Sequence, residues 1–197
     1  MLFIFLFSGF LYGSYSIRET LLTEYYDINA AGFGIIIASF TVIGGLSEML
    51  QEKIQNRFKN RTLTLISSLF VMTYLFTYII STLNIETNIK IGLTLILFAM
   101  QYSIETLYIG FENTYQKNFT TNRIRVKISS VIEIIKNLSN FLITFIFSFL
   151  VGTFDIGKTF LYIGIIFAII LFFVLLYLKP RFGLKKEQYD ESEIFSR

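Results

Sequence analysis

The chain contains no cysteine, no histidine and no tryptophan, and its single proline is Pro180. Without Cys there is no disulfide, no thiolate-held zinc and no cysteine nucleophile. Without His the commonest metal ligand and general base are missing, and with them every Ser-His triad. Charge is scarce as well: 16% of the 197 residues are Asp, Glu, Lys or Arg, too few to coat a water-soluble domain of this length. No basic tract interleaved with aromatics suggests nucleic-acid binding, and no Gly-rich phosphate loop or other cofactor motif is present. What is present is apolar. Hydrophobic residues make up 54% of the chain, against about 45–50% in an ordinary soluble domain, and 23 of them are Phe. With a mean hydropathy of +0.62, the composition excludes a soluble globular enzyme, a disordered chain and a collagen-like repeat. It points to an all-α integral membrane protein.

A helix crossing about 30 Å of hydrocarbon needs about 20 apolar residues. Six stretches are predicted as spans: residues 2–17, 31–50, 63–83, 91–110, 128–151 and 160–178. They fill a transmembrane domain over residues 1–178 and leave a cytoplasmic tail over 179–197. Runs of this length without alternation read as helices rather than barrel strands. Thirteen of the 17 Lys and Arg fall on one side of this topology, three on the other (Arg18, Lys90 and Lys158), and Lys136 inside a span. By the positive-inside rule both termini face the cytoplasm, which places the chain in a cell membrane as a multi-pass protein. The first span follows Met1 directly, with no positive n-region, so a secretory signal is not expected. It fits either a short first helix or a chain that begins inside a larger protein.

Polar residues sort the spans. In the fourth, Thr94, Gln101, Glu105, Tyr108 and Glu112 share one helical face. In the fifth, Ser129, Glu133, Lys136, Asn140 and Thr144 do the same, with Asn137 beside them. The first carries a milder stripe of Ser8, Tyr12, Tyr15 and Glu19. The second lines up Gly34, Ala38, Thr41, Gly45 and Glu48, a small-residue face suited to close helix approach. The third and sixth spans hold no charge and are expected at the periphery, facing lipid. In each triplet the last helix is the apolar one, which predicts two inverted three-helix repeats around a polar cavity.

Several local features resemble the C-terminal half of a major facilitator superfamily transporter. The connection from Gly45 to Arg61, with Glu52-Lys53 followed by Arg57, Lys59 and Arg61, resembles a degenerate copy of that family's inner loop motif; a second Gly is missing. The entry Arg125-Val-Lys-Ile-Ser129-Ser130 resembles the start of its eleventh helix. Gly152-Thr-Phe-Asp155-Ile-Gly157 resembles the short turn before its twelfth. The resemblance implies half of a major facilitator fold, the spans standing for the seventh to twelfth helices. It also implies secondary transport of a small solute by alternating access, with efflux suggested by the aromatic character, and a separate N-terminal six-helix half as partner. The other reading is a non-transporting membrane fragment or a regulatory or structural module. Membrane lipid and a small-molecule substrate are the remaining partners expected, with no cofactor and no metal.

Within that reading Glu105, Gln101 and Lys136 are expected to contact substrate or carry a coupling proton, with Asn137, Asn140 and Tyr12 as further polar contacts. Glu105 lies roughly 9 Å and Lys136 roughly 12 Å from the inner ends of their spans, close enough in depth for an ion pair across the cavity. The plain alternative is a structural pair, Glu105 with Lys136 or Glu133 with Lys136, that never meets substrate. By family analogy Glu52, Arg57 and Arg61 form an inner-loop gate; more simply, the basic cluster sets topology. An enzyme is not expected: no metal pair, no paired aspartates and no Gly-x-Ser-x-Gly occur.

Overall fold

The computed structural model describes residues 2–58, 62–119 and 122–182, and no strand occurs among them. Helix α1 (Leu2–Thr20) runs on into a π-helical turn at Leu21–Tyr25, where the Tyr26 N–H donates to the Leu21 carbonyl at 3.1 Å. Asp27 then adopts φ 54°, a left-handed conformation that Asp tolerates better than most residues. The chain restarts at α2 (Ala30–Glu48), whose first turn is capped by Asn29: its Oδ1 accepts from the Gly32 N–H at 2.8 Å. A short α3 (Gln51–Phe58) occupies the connection to α4 (Thr62–Thr82). Then follow α5 (Thr87–Phe119), α6 (Asn122–Thr153) and α7 (Ile156–Phe182). At 33 and 32 residues, α5 and α6 are each roughly 50 Å long and exceed the hydrocarbon thickness.

Among the described residues, five helices are long and apolar enough to cross a membrane, at 30–48, 65–82, 87–113, 126–153 and 156–173. They match the second to sixth predicted spans. Helix α1 is more polar in its second half, which brings Tyr15, Ser16, Arg18 and Glu19. It nonetheless packs inside the bundle, with Phe7, Phe10, Leu11 and Ile17 buried.

Three helix pairs organise the molecule: α1 lies along α6, α2 along α5, and α4 along α7, with α4 also resting on α5. The α1–α6 seam is tight because Gly9 has no side chain; a Cβ there would strike the Ser139 side chain and Ile143. At the α2–α5 seam Gly44 serves similarly, its carbonyl accepting from the Thr106 hydroxyl at 3.3 Å and its Cα facing the Tyr102 ring. The pairs meet on aromatic rings. Phe7 of α1 sits 4.5 Å from Tyr108 of α5 and 5.7 Å from both Phe70 of α4 and Phe167 of α7, centroid to centroid. Phe10 stacks on Phe167 at 3.6 Å.

Two expectations about helix faces are corrected. The apolar α4 and α7, expected at the lipid periphery, are the better buried helices: 39% and 44% of their spans are inside the protein, against 11% for α2 and 22% for α6. The physical reason is that lipid is as apolar as a protein core, so hydropathy cannot say which greasy face packs. Here the bulky rings of Phe70, Tyr74, Phe160 and Phe167 do. The small-residue line of α2 is also turned outward: Gly34, Ala38, Thr41, Gly45 and Glu48 are exposed, and Gly34 and Gly45 face open space. Helix α2 docks on α5 through Phe40 and Gly44 instead.

Candidate functional site: a buried ion pair beside an aromatic cavity

Helix α5 carries Glu105 near its middle, 2% exposed, and α1 delivers Arg18 to it, 5% exposed. The Arg18 Nη2 donates to Glu105 Oε1 at 2.7 Å. Two charges removed from solvent this way stabilise each other only as a pair; deleting one partner of such a pair typically costs about 3–5 kcal/mol. The guanidinium also lies over the Tyr15 ring, 4.5 Å from its centroid, a second contact that suits a planar delocalised cation. Eight residues beyond Arg18, just past the π-helical turn, the Tyr26 hydroxyl meets Thr94 of α5 at 3.1 Å.

Above this pair the helices α1, α2 and α5 enclose a cavity of about 220 Å³. Five rings wall it: Tyr15, Phe33, Phe40, Phe98 and Tyr102. Leu22 and Ile37 complete the apolar lining, and Arg18 and Glu19 supply its charge. Tyr15 and Tyr102 stand edge to face at 6.3 Å, and the Tyr102 hydroxyl lies 3.4 Å from that of Thr41. Gln101, one residue before Tyr102, is fully buried, and neither end of its amide has a hydrogen-bond partner among the described residues. A buried amide in that condition calls for a water or a ligand.

The structure re-pairs the charges. Lys136 of α6 does not reach Glu105; its Nζ sits 2.8 Å from Glu112 Oε1, with side chains 11% and 5% exposed. Glu105 and Glu112 lie on one stripe of α5 but are two turns apart, roughly 10 Å along the axis, so the two ion pairs occupy different levels. Glu133 is exposed, and among the described residues the Lys136 ammonium pairs with Glu112 rather than with Glu133. Asn140 is half-buried and accepts from the Thr144 hydroxyl at 3.1 Å, a bond within its own helix. Asn137 is exposed. Glu52 and Arg57 stand exposed on α3 with no ion pair to a described residue; Arg57 lies over the neighbouring Phe58 ring at 5.8 Å. The Tyr12 side chain and the whole of Arg61 lie outside the described residues.

Two participants escape a linear reading. Arg18 follows the first apolar run and so counts there as a connection residue, yet it stands three positions after Tyr15, on the same helical face as the polar stripe. Glu112 shows up as a stripe member, but nothing in the spacing of α5 says which cation α6 brings to it. No family model, no curated protein and no solved structure matches the chain.

Proposed function

We propose that the chain is half of a secondary transporter of the major facilitator type, moving a small solute across a cell membrane by alternating access, with both termini cytoplasmic and a second six-helix unit completing it. The Arg18–Glu105 pair carries this reading. An ionisable side chain at the centre of a membrane helix costs roughly 2.5–3.5 kcal/mol on insertion scales. A carboxylate at the middle of α5, held against a cavity by a guanidinium from the last turn of α1, serves a solute or ion route better than it serves stability. Gln101, with its amide unsatisfied, extends the polar track along α5, and the Lys136–Glu112 pair continues it two turns on.

The helix pairing supports the fold part of the reading. A two-fold operation exchanging the first three spans with the last three turns the α1–α6 contact into the α5–α2 contact and leaves the α4–α7 contact on itself. Those three are the most extensive pairings of the bundle, whereas the α4–α5 contact has no counterpart of like extent between α7 and α1. The same operation exchanges α2 with α6, the two least buried helices. Helix α6 has exposed polar side chains at span depth, Glu133 and Asn137, and such groups favour a protein or aqueous neighbour over acyl chains. In this reading Glu52 and Arg57, both exposed on α3, gate against the second unit.

The test is transport by the chain purified from its own membrane with whatever it carries, reconstituted in vesicles and offered a panel of small solutes. Saturable uptake of at least one, lost in Glu105→Gln and Arg18→Ala, is the expected result. Absence of saturable flux for every solute would overturn the reading in favour of a non-transporting membrane module.

A further inference from the structure

We infer that the cavity between α1, α2 and α5 binds a small monovalent organic cation with an apolar body, such as a protonated or quaternary amine. The inference rests on reading this cavity as the solute site, and it adds the sign and shape of what enters. Charge comes first. The lining offers two charged side chains, Arg18 and Glu19. The Arg18 charge is already neutralised by Glu105 at 2.7 Å, with both side chains almost wholly buried. The pair as a whole is neutral, so it offers an anion no net positive charge, with the Glu105 carboxylate buried beside the guanidinium. Glu19 is exposed, has no ion pair to a described residue, and faces the same space. The uncompensated charge at the cavity is therefore negative.

The walls point the same way. Five aromatic rings line one small volume, and aromatic-rich sites recognise ammonium groups by cation–π attraction. The cavity contains its own precedent, since the Arg18 guanidinium rests on the Tyr15 ring at 4.5 Å. At about 220 Å³ the space is smaller than the roughly 300–1,000 Å³ typical of drug-sized ligands, which limits the occupant to a compact molecule.

Benzyltrimethylammonium is a suitable probe, because neopentylbenzene reproduces its shape without charge and phenylacetate carries the opposite charge on a similar body. Equilibrium binding of radiolabelled benzyltrimethylammonium to the whole chain in detergent micelles is expected to saturate. Unlabelled cation should displace it, neopentylbenzene should do so at least about tenfold less well, and phenylacetate should not. Glu19→Gln, a change at an exposed position that leaves the bundle intact, should weaken the cation about fivefold while leaving displacement by neopentylbenzene unchanged. Tyr102→Leu, checked for its helical circular dichroism, should weaken the cation more than the neutral isostere. No saturable cation binding, displacement by phenylacetate, or an unaltered affinity in Glu19→Gln would each overturn the inference. Cation binding without any solute flux leaves this assignment standing and removes the transport reading; flux of solutes without cation binding does the reverse.

Discussion

Arg18 and Glu105 show how much of a site one residue's position hides. Glu105 is legible in the sequence as a carboxylate inside an apolar run, because its burial cost demands a partner. The partner is not legible, since the Arg18 side chain is long enough to return to the bundle from a backbone position beyond the first apolar stretch. Removing either charge alone should lower stability by about 3–5 kcal/mol, whereas Arg18→Met with Glu105→Leu should be neutral or stabilising. Thermal unfolding of the four proteins in one detergent checks this; additive losses would show that the two side chains do not act as a pair. Tyr26 offers a pH readout. Burial, opposed in part by the Thr94 hydrogen bond, raises its hydroxyl above the usual 10.0. The folded state therefore holds that proton more tightly, so its contribution is complete below pH about 10 and is lost as pH rises through the folded value. Tyr26→Phe should flatten the alkaline limb of the stability curve, measured as unfolding midpoint against pH.

At the scale of the element, length and hydropathy located five helices within a few residues, and missed what the ends do. Helices α5, α6 and α7 run past their apolar cores, and α3 occupies a stretch that reads as a charged connection. Glycine spacing was similarly half-informative. It marked α2 as a close-packing helix but pointed to the wrong face, because Gly44, not Gly34 or Gly45, meets α5. The contrast is testable by adding one methyl group. Gly9→Ala, which drives a Cβ into Ser139 and Ile143, should cost about 1–3 kcal/mol. Gly34→Ala, facing open space, should gain about 0.5–1 kcal/mol from the lower backbone freedom of alanine. Unfolding of both in the isolated chain decides it, and equal effects would place the two glycines in equivalent surroundings.

For the whole molecule, charge counting gave an orientation and polar stripes gave a direction for α5. Neither decided which apolar faces meet protein, because the medium outside is as oily as the interior. That is why α4 and α7 each bury one face and expose another, while α2 and α6 are the more bared. A chain with no native cysteine lends itself to mapping this surface, since each introduced thiol is the only one. Spin labels at Phe76→Cys on α4 and Phe172→Cys on α7, both exposed and apolar, should be relaxed strongly by paramagnetic lipids in the native membrane. Labels at Ser39→Cys on α2 and Asn137→Cys on α6 should be shielded by the second unit. Equal lipid access at all four would remove the need for one.

The π-helical turn at Leu21–Tyr25 has a rotational consequence for everything beyond it. Eight residues of regular helix would leave Tyr26 about 80° away from the direction of Arg18, since each residue turns the chain by roughly 100°. One residue absorbed in the wider turn cancels that offset to within about 20°, which lets the arginine and the tyrosine both grip α5. Inserting a single residue after Thr23 would therefore act as a phase error, swinging the Tyr26 hydroxyl off Thr94 and carrying the approach to α2 round with it, whereas excising one would restore a regular helix in the same register.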